Sequence, residues 1–118
     1  MSIDSNMINL LQAGIKGESA RQSAIANNIA NMNTHGYRRF EVNFEEALAK
    51  AIGDDNEIDP EKIEFELLQP KTGAINEQGN DVNLHAEVGE MVKNTSRHKA
   101  FVRILKKTYE QYDLAMKI

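Results

Sequence analysis

From residue 8 to residue 36 the chain reads INLLQAGIKGESARQSAIANNIANMNTHG. Ile8, Leu11, Ile15, Glu18, Gln22, Ile25, Ile29 and Met32 follow one another at alternating steps of three and four residues. That spacing lines one stripe of an α-helix, the a/d seam of a coiled coil. Only Glu18 and Gln22 interrupt its apolar character. Ala24, Ala26 and Ala30 flank the stripe and permit close approach of a second helix. Asp4 or Ser5 is expected to cap the start. The stop is Asn31-Met32-Asn33-Thr34-His35-Gly36, where turn formers accumulate and glycine closes the run.

The other end of the chain repeats the pattern. Val88, Met91, Thr95, His98, Val102, Leu105, Tyr109, Tyr112 and Met116 again step by three and four. Asn83 is the expected N-cap, and Glu87 and Glu90 sit early, where carboxylates suit the helix dipole. Each helix is expected to span about 42 to 48 Å at about 1.5 Å per residue. Long helices at the two chain ends pair most simply as an antiparallel hairpin. The expected fold is therefore mainly α: a coiled-coil hairpin of residues 1–36 and 86–118, with a small irregular, β-containing middle at 37–85.

Within the middle, Phe44 to Ile52 reads as a short helix ended by Gly53-Asp54-Asp55-Asn56. Ile63, Phe65 and Leu67 alternate with polar neighbours, which predicts a strand. Pro70, Gly73 and Gly79 make the stretch after it loop. Charge is segregated: residues 41–70 hold ten acids against two bases, and residues 86–118 hold seven bases against four acids. Such a division suits head-to-tail contact between copies or unlike partners.

Composition narrows the function. The net charge is -4, against a general nucleic-acid binder. Arg103, Lys106 and Lys107 form a basic helix face, best read as solvated or subunit-facing. With no cysteine there are no disulfides or thiolate metal sites. His35, His85 and His98 lack zinc-ligand spacing. The acidic run Asp54, Asp55, Asn56, Glu57 and Asp59 fails the EF-hand register, since Asp59 stands where glycine is needed. No catalytic elbow or phosphate-binding glycine loop is present. No enzyme activity, cofactor or metal is expected. The start lacks a basic and apolar leader, so a cleaved signal is not expected, nor is direct membrane insertion.

Residues 25–39, from Ile25 through Asn27, Asn28, Asn31, Asn33, Thr34, Gly36 and Tyr37 to Arg39, resemble the "ANNIANxNTPGYKR" signature of flagellar rod and hook proteins, with His35 in place of the usual proline. Gly79 to Val88 resembles the "GNxVDLxxEM" segment before the C-terminal helix of proximal rod members, with Asn83 in place of aspartate. The resemblance covers both ends of the chain. It implies a polymerising structural subunit whose helical ends form the core of a tube. The implied partners are copies of itself, other rod proteins, basal-body adaptor and inner-membrane ring proteins, and the flagellar type III export gate. Subunit packing is then expected at Leu11, Ile15, Ile25, Ile29, Val102, Leu105, Tyr109 and Tyr112. Phe40 and Phe44 resemble a gate-recognition motif; alternatively they are core residues on one helical face. The rival reading, a helical-hairpin adaptor or chaperone of a type III secretion system, shares the heptads but not the Asn-Thr-x-Gly-Tyr string.

Overall fold

A computed structural model of the chain describes residues 2–52 and 57–117. The acidic run at 54–56 lies outside them, as does the expected end of the short helix. The elements are α1 (Ser2–Ala30), β1 (Glu41–Val42), α2 (Phe44–Ala51), β2 (Leu67–Leu68) and α3 (Leu84–Met116). The molecule is elongated, 65 × 29 × 16 Å. Helices α1 and α3 run antiparallel side by side, as their cross-contacts show. Gly14 meets the Phe101 ring, and Asn28 meets Glu87 near the other end.

The mainly α hairpin with a small middle is as the sequence predicts. Its stop after Ala30 and its N-cap at Asn83 hold, with Asn83 Oδ1 accepting the Ala86 N–H at 3.1 Å. The start does not: α1 already begins at Ser2, so Asp4 and Ser5 lie inside the helix.

Both seams are displaced by one residue at alternate positions. On α3 the buried residues are Glu87 and Asn94, and Phe101 is half-buried. The inward stripe is Glu87, Met91, Asn94, His98, Phe101, Leu105 and Tyr112. The expected stripe shares Met91, His98, Leu105 and Tyr112 with it. Of its other members Thr95 is half-buried, whereas Val88, Val102, Tyr109 and Met116 turn outward, 47%, 43%, 46% and 82% exposed. On α1 the face toward α3 runs Leu11, Gly14, Glu18, Ile25 and Asn28, while Gln22 is exposed. The physical reason is that polar pairs, not the most apolar stripe, set the register of this hairpin.

The apolar core lies elsewhere. Ala13 of α1 is enclosed by Ala47, Ile58 and Ile63, with Leu48, Ala51 and Phe65 around them. Gly17 makes this packing possible. A Cβ there would fall 1.9 Å from the Phe44 ring, so only glycine lets α2 seat against α1. Phe44 stacks on Phe65 at 5.6 Å, and the Arg21 guanidinium lies over the Phe44 ring, 4.6 Å from its centroid. Lys16 reaches across and donates to the Ile63 carbonyl at 2.6 Å.

Two expectations for the middle need correction. The alternating stretch from Ile63 is not a strand until Leu67, where Leu67–Leu68 pairs antiparallel with Glu41–Val42. Ile63 is instead drawn into the core, 1% exposed. Phe40 and Phe44 do not share a helical face, because β1 separates Phe40 from α2.

Candidate subunit interface and the junction that aligns it

Where α1 ends, the two signature-bearing segments close on each other. Asn28 is fully buried. Its Oδ1 accepts the Phe40 N–H at 2.9 Å and the Tyr37 hydroxyl at 2.9 Å. Its Nδ2 donates to the Phe40 carbonyl at 2.9 Å and to Glu87 Oε2 at 3.3 Å. One amide thus grips the returning backbone at both its donor and its acceptor, and ties it to α3. Glu87, 1% exposed, also accepts from Arg39 Nε at 2.7 Å.

The loop before α3 completes the closure. Asn80 is buried and donates to the carbonyls of Asn31 at 2.9 Å and Thr34 at 2.9 Å. The same carbonyls also accept the Thr34 N–H at 3.0 Å and the Tyr37 N–H at 3.2 Å within the turn, so Asn80 adds a second bond to each. The Gly36 N–H donates to the Gln78 carbonyl at 2.8 Å. Gly36 and Gly79 both take positive φ, 75° and 74°, which suits glycine. Asp81 accepts the Arg39 N–H at 2.6 Å and pairs with Arg38 at 3.1 Å.

Burial and ion pairing compete in the electrostatics of this junction. The Tyr37 phenol is held above its ordinary value by burial, then by the charges of Glu87 and Asp81, against the opposing pull of Arg39. Burial works to raise the Asp81 carboxyl, but the Arg39 N–H and Arg38 outweigh it and hold it low. Burial likewise opposes the charge of Arg39, yet its bonds to Glu87 and Glu41 prevail and raise it.

A second polar lock sits midway along the hairpin. Glu18, 1% exposed, accepts from Asn94 at 2.7 Å, Arg97 at 2.8 Å and Arg21 at 3.1 Å. Arg21 continues to Glu45 at 3.0 Å and so links α2. Buried charges paired in this way are weak evidence for net stability. They do penalise any other alignment, since slippage would strand a buried carboxylate.

The predicted packing residues fall into two groups. Leu11 and Ile25 are buried, and Ile15 and Ile29 half-buried, in the hairpin's own packing. Val102, Leu105, Tyr109 and Tyr112 come together with Met116 in one open groove along α3. Tyr109 accepts there from Gln12 at 3.3 Å. Of the signature turn, Asn28 is buried and Asn31 and Tyr37 are half-buried, while Asn27, Asn33, Thr34 and Gly36 are exposed. Phe40 packs edge-on against Tyr37 at 5.9 Å. The sequence reading missed Asn80, Asp81, Glu87, Asn94 and Arg97 as partners. Polar residues at heptad spacing on both helices were the available signal. Among the described residues no His, Cys, Asp and Glu cluster could hold a metal, and no helix is long and apolar enough to cross a membrane.

Residues 8–38 match the family described as "Flagella basal body rod protein". The match spans most of α1 and the whole turn. Among individual proteins, the chain is similar to the flagellar basal body rod protein FlgB of Borreliella burgdorferi, 25% identical with 84% of this chain and 87% of the relative covered. FlgB of Borrelia hermsii is 27% identical, again over 84% of this chain and 87% of the relative.

Proposed function

We propose that this chain, a flagellar basal body rod protein by its motif and its relatives, is a structural subunit of the proximal rod that polymerises through α1 and α3. The observation that carries the reading is the division of labour on α3. Its inward stripe is locked to α1 by the polar residues Glu87 and Asn94, whereas Val88, Val102, Tyr109 and Met116 are 43% to 82% exposed. Coiled-coil spacing on an exposed face is spacing for a further helix. Burial of those side chains between subunits would supply the hydrophobic stabilisation that the polar hairpin seam forgoes.

In this reading the junction fixes the angle at which the middle segment leaves the hairpin, so that every copy presents the same outline. Its partners are copies of itself, other rod proteins, basal-body adaptor and inner-membrane ring proteins. The type III export gate would deliver it to the periplasmic rod without a cleaved signal. Phe40 and Phe44 remain the proposed gate contact. Phe40→Ala is the informative variant there, because Phe44 also fills the notch at Gly17.

The test is a strain lacking this chain. Basal bodies purified from it should retain inner-membrane rings and lack the rod, and the restored gene should bring the rod back. Complete rods in the deletion strain would refute a structural role.

A further inference from the structure

Two surface patches of this molecule fit each other and cannot meet within one copy. The first is on the middle segment. Leu67 and Leu68 are 53% and 43% exposed on an edge strand, with Glu64 and Glu66 exposed beside them and Glu61 nearby. The second is on α3. Val102 and Tyr109 are 43% and 46% exposed, with Lys99, Arg103, Lys106 and Lys107 exposed around them. Each patch therefore has an apolar centre and a rim mainly of one charge, acidic on the first apart from Lys62 and basic on the second apart from Glu110 and Asp113, an arrangement that suits a specific contact.

Among the described residues, neither rim is neutralised internally. The ion pairs there involve Arg21, Arg38, Arg39, Lys50, Lys93, Arg97 and Lys117 as cations, and none of the four α3 bases just named. Glu61, Glu64 and Glu66 form none either. The two patches also face apart. Glu90 and Arg97 of α3 line a cleft with Phe40, Glu41 and Val42, so the middle segment lies on that flank. Lys106 is nine residues beyond Arg97, about 180° around the helix at 3.6 residues per turn.

We infer that the Glu64–Leu68 segment of one copy docks on the α3 groove of a second copy. Leu67 and Leu68 cover Val102 and Tyr109, and the glutamates face Lys99, Arg103 and Lys106. Glu110 and Asp113 line the far end of the same groove. They repel the glutamates there and so fix the direction in which the segment lies. The contact joins unlike surfaces, hence it is head-to-tail and propagates as a ring or helical filament rather than closing as a two-fold dimer. It supplies a specific contact for the proposed polymer, but its test needs no flagellum and does not depend on that reading.

The experiment is analytical ultracentrifugation of the purified chain. Wild type should self-associate in about 0.05 M salt and dissociate progressively toward about 0.5 M, as exposed charges are screened. Arg103→Glu with Lys106→Glu should weaken association at least about tenfold, and so should Glu64→Lys with Glu66→Lys. An equimolar mixture of these two double variants should associate again. In the mixture, each acidic segment meets a basic groove and each basic segment an acidic one. Misfolded variants could not rescue one another, so recovery excludes a folding artefact. A wild type that stays monomeric in low salt, charge reversal without effect, or a mixture of folded variants that does not recover would each overturn the proposal. Rods lost on deletion together with any of those results would leave the rod reading standing and this contact refuted.

Discussion

Asn28 shows how much one buried amide does when every one of its bonds is used. Removing it leaves the Phe40 N–H, the Phe40 carbonyl, the Tyr37 hydroxyl and one Glu87 oxygen without this partner in a closed space. Each unsatisfied buried group costs about 1 to 3 kcal/mol, partly recovered by relaxation and water. Asn28→Ala should therefore destabilise the chain by about 2 to 4 kcal/mol in urea unfolding. Asn33→Ala, at an exposed position in the same turn, should stay within about 0.5 kcal/mol. Equal effects would mean that the signature asparagines act only as turn formers. Tyr37 offers a second reading of the same cavity. Its phenol is raised by burial and by Glu87 and Asp81, so the folded state holds that proton more tightly than the unfolded state. The resulting stability is fully present below the ordinary tyrosine pKa and is lost as pH rises through the higher folded one. Ultraviolet titration of the folded chain should show a tyrosine component that ionises above the ordinary tyrosine value. Tyr37→Phe should remove that late component. A late component that survives the substitution would refute its assignment to Tyr37.

At the scale of elements, two of the helical glycines, Gly17 and Gly89, make opposite predictions from the same substitution. Gly17→Ala gains up to about 1 kcal/mol of helix propensity. It also drives a methyl to 1.9 Å from the Phe44 ring and 3.1 Å from Phe65. Displacing a stacked pair from a packed core costs about 1 to 3 kcal/mol, so the net effect should be destabilising and should loosen α2 first. Gly89 meets nothing within 4 Å, and Gly89→Ala should stabilise by up to about 1 kcal/mol. Thermal unfolding of the two variants decides it; a Gly17→Ala chain that melts higher than wild type would refute the packing of α2. Helix existence, the stop near Asn31 and the Asn83 cap were legible in the sequence because they depend on local chemistry. The seam register was not. Apolar spacing on α3 fits two stripes that share Met91, His98, Leu105 and Tyr112, and the more apolar one was the natural choice. What decides between them is Glu18 meeting Asn94 and Asn28 meeting Glu87, pairings 76 and 59 residues apart. Glu18 thus reads as a flaw in one helix and becomes a lock only when its partner is known. The strand expected from Ile63 failed for a related reason. Alternation marked the buried side chains correctly, but Ile63 is buried by α1 and α2 rather than by a sheet.

Across the whole molecule the locks are unevenly spread, and local stability should vary with them. The junction end holds Asn28, Asn80 and Glu87, all at most 2% exposed. The middle holds Glu18 and Asn94, at 1% and 0%. Toward the open end the inter-helix contacts thin to Leu11, the Gly14–Phe101 approach and the exposed Gln12–Tyr109 bond. There Met7, Leu10, Leu114 and Met116 are 51%, 46%, 66% and 82% exposed. An isolated helix of this kind draws most of its stability from packing rather than propensity. Its amides open with a free energy set by nearby buried contacts. Hydrogen exchange of the dilute chain should therefore be graded along the 65 Å length. Residues 22–30 and 86–96 should exchange slowest, and residues 5–10 and 108–117 fastest, although both groups are helical. Raising the protein concentration in low salt should protect residues 99–109 more than any other part of α3, since that is where a second copy is proposed to dock. Uniform exchange along both helices would show that the hairpin opens as one cooperative unit, with the polar locks contributing alignment but no local stability. Slowest exchange at the open end would reverse the order argued here, and would require packing of α1 on α3 beyond the contacts through Leu11, Gly14 and Gln12.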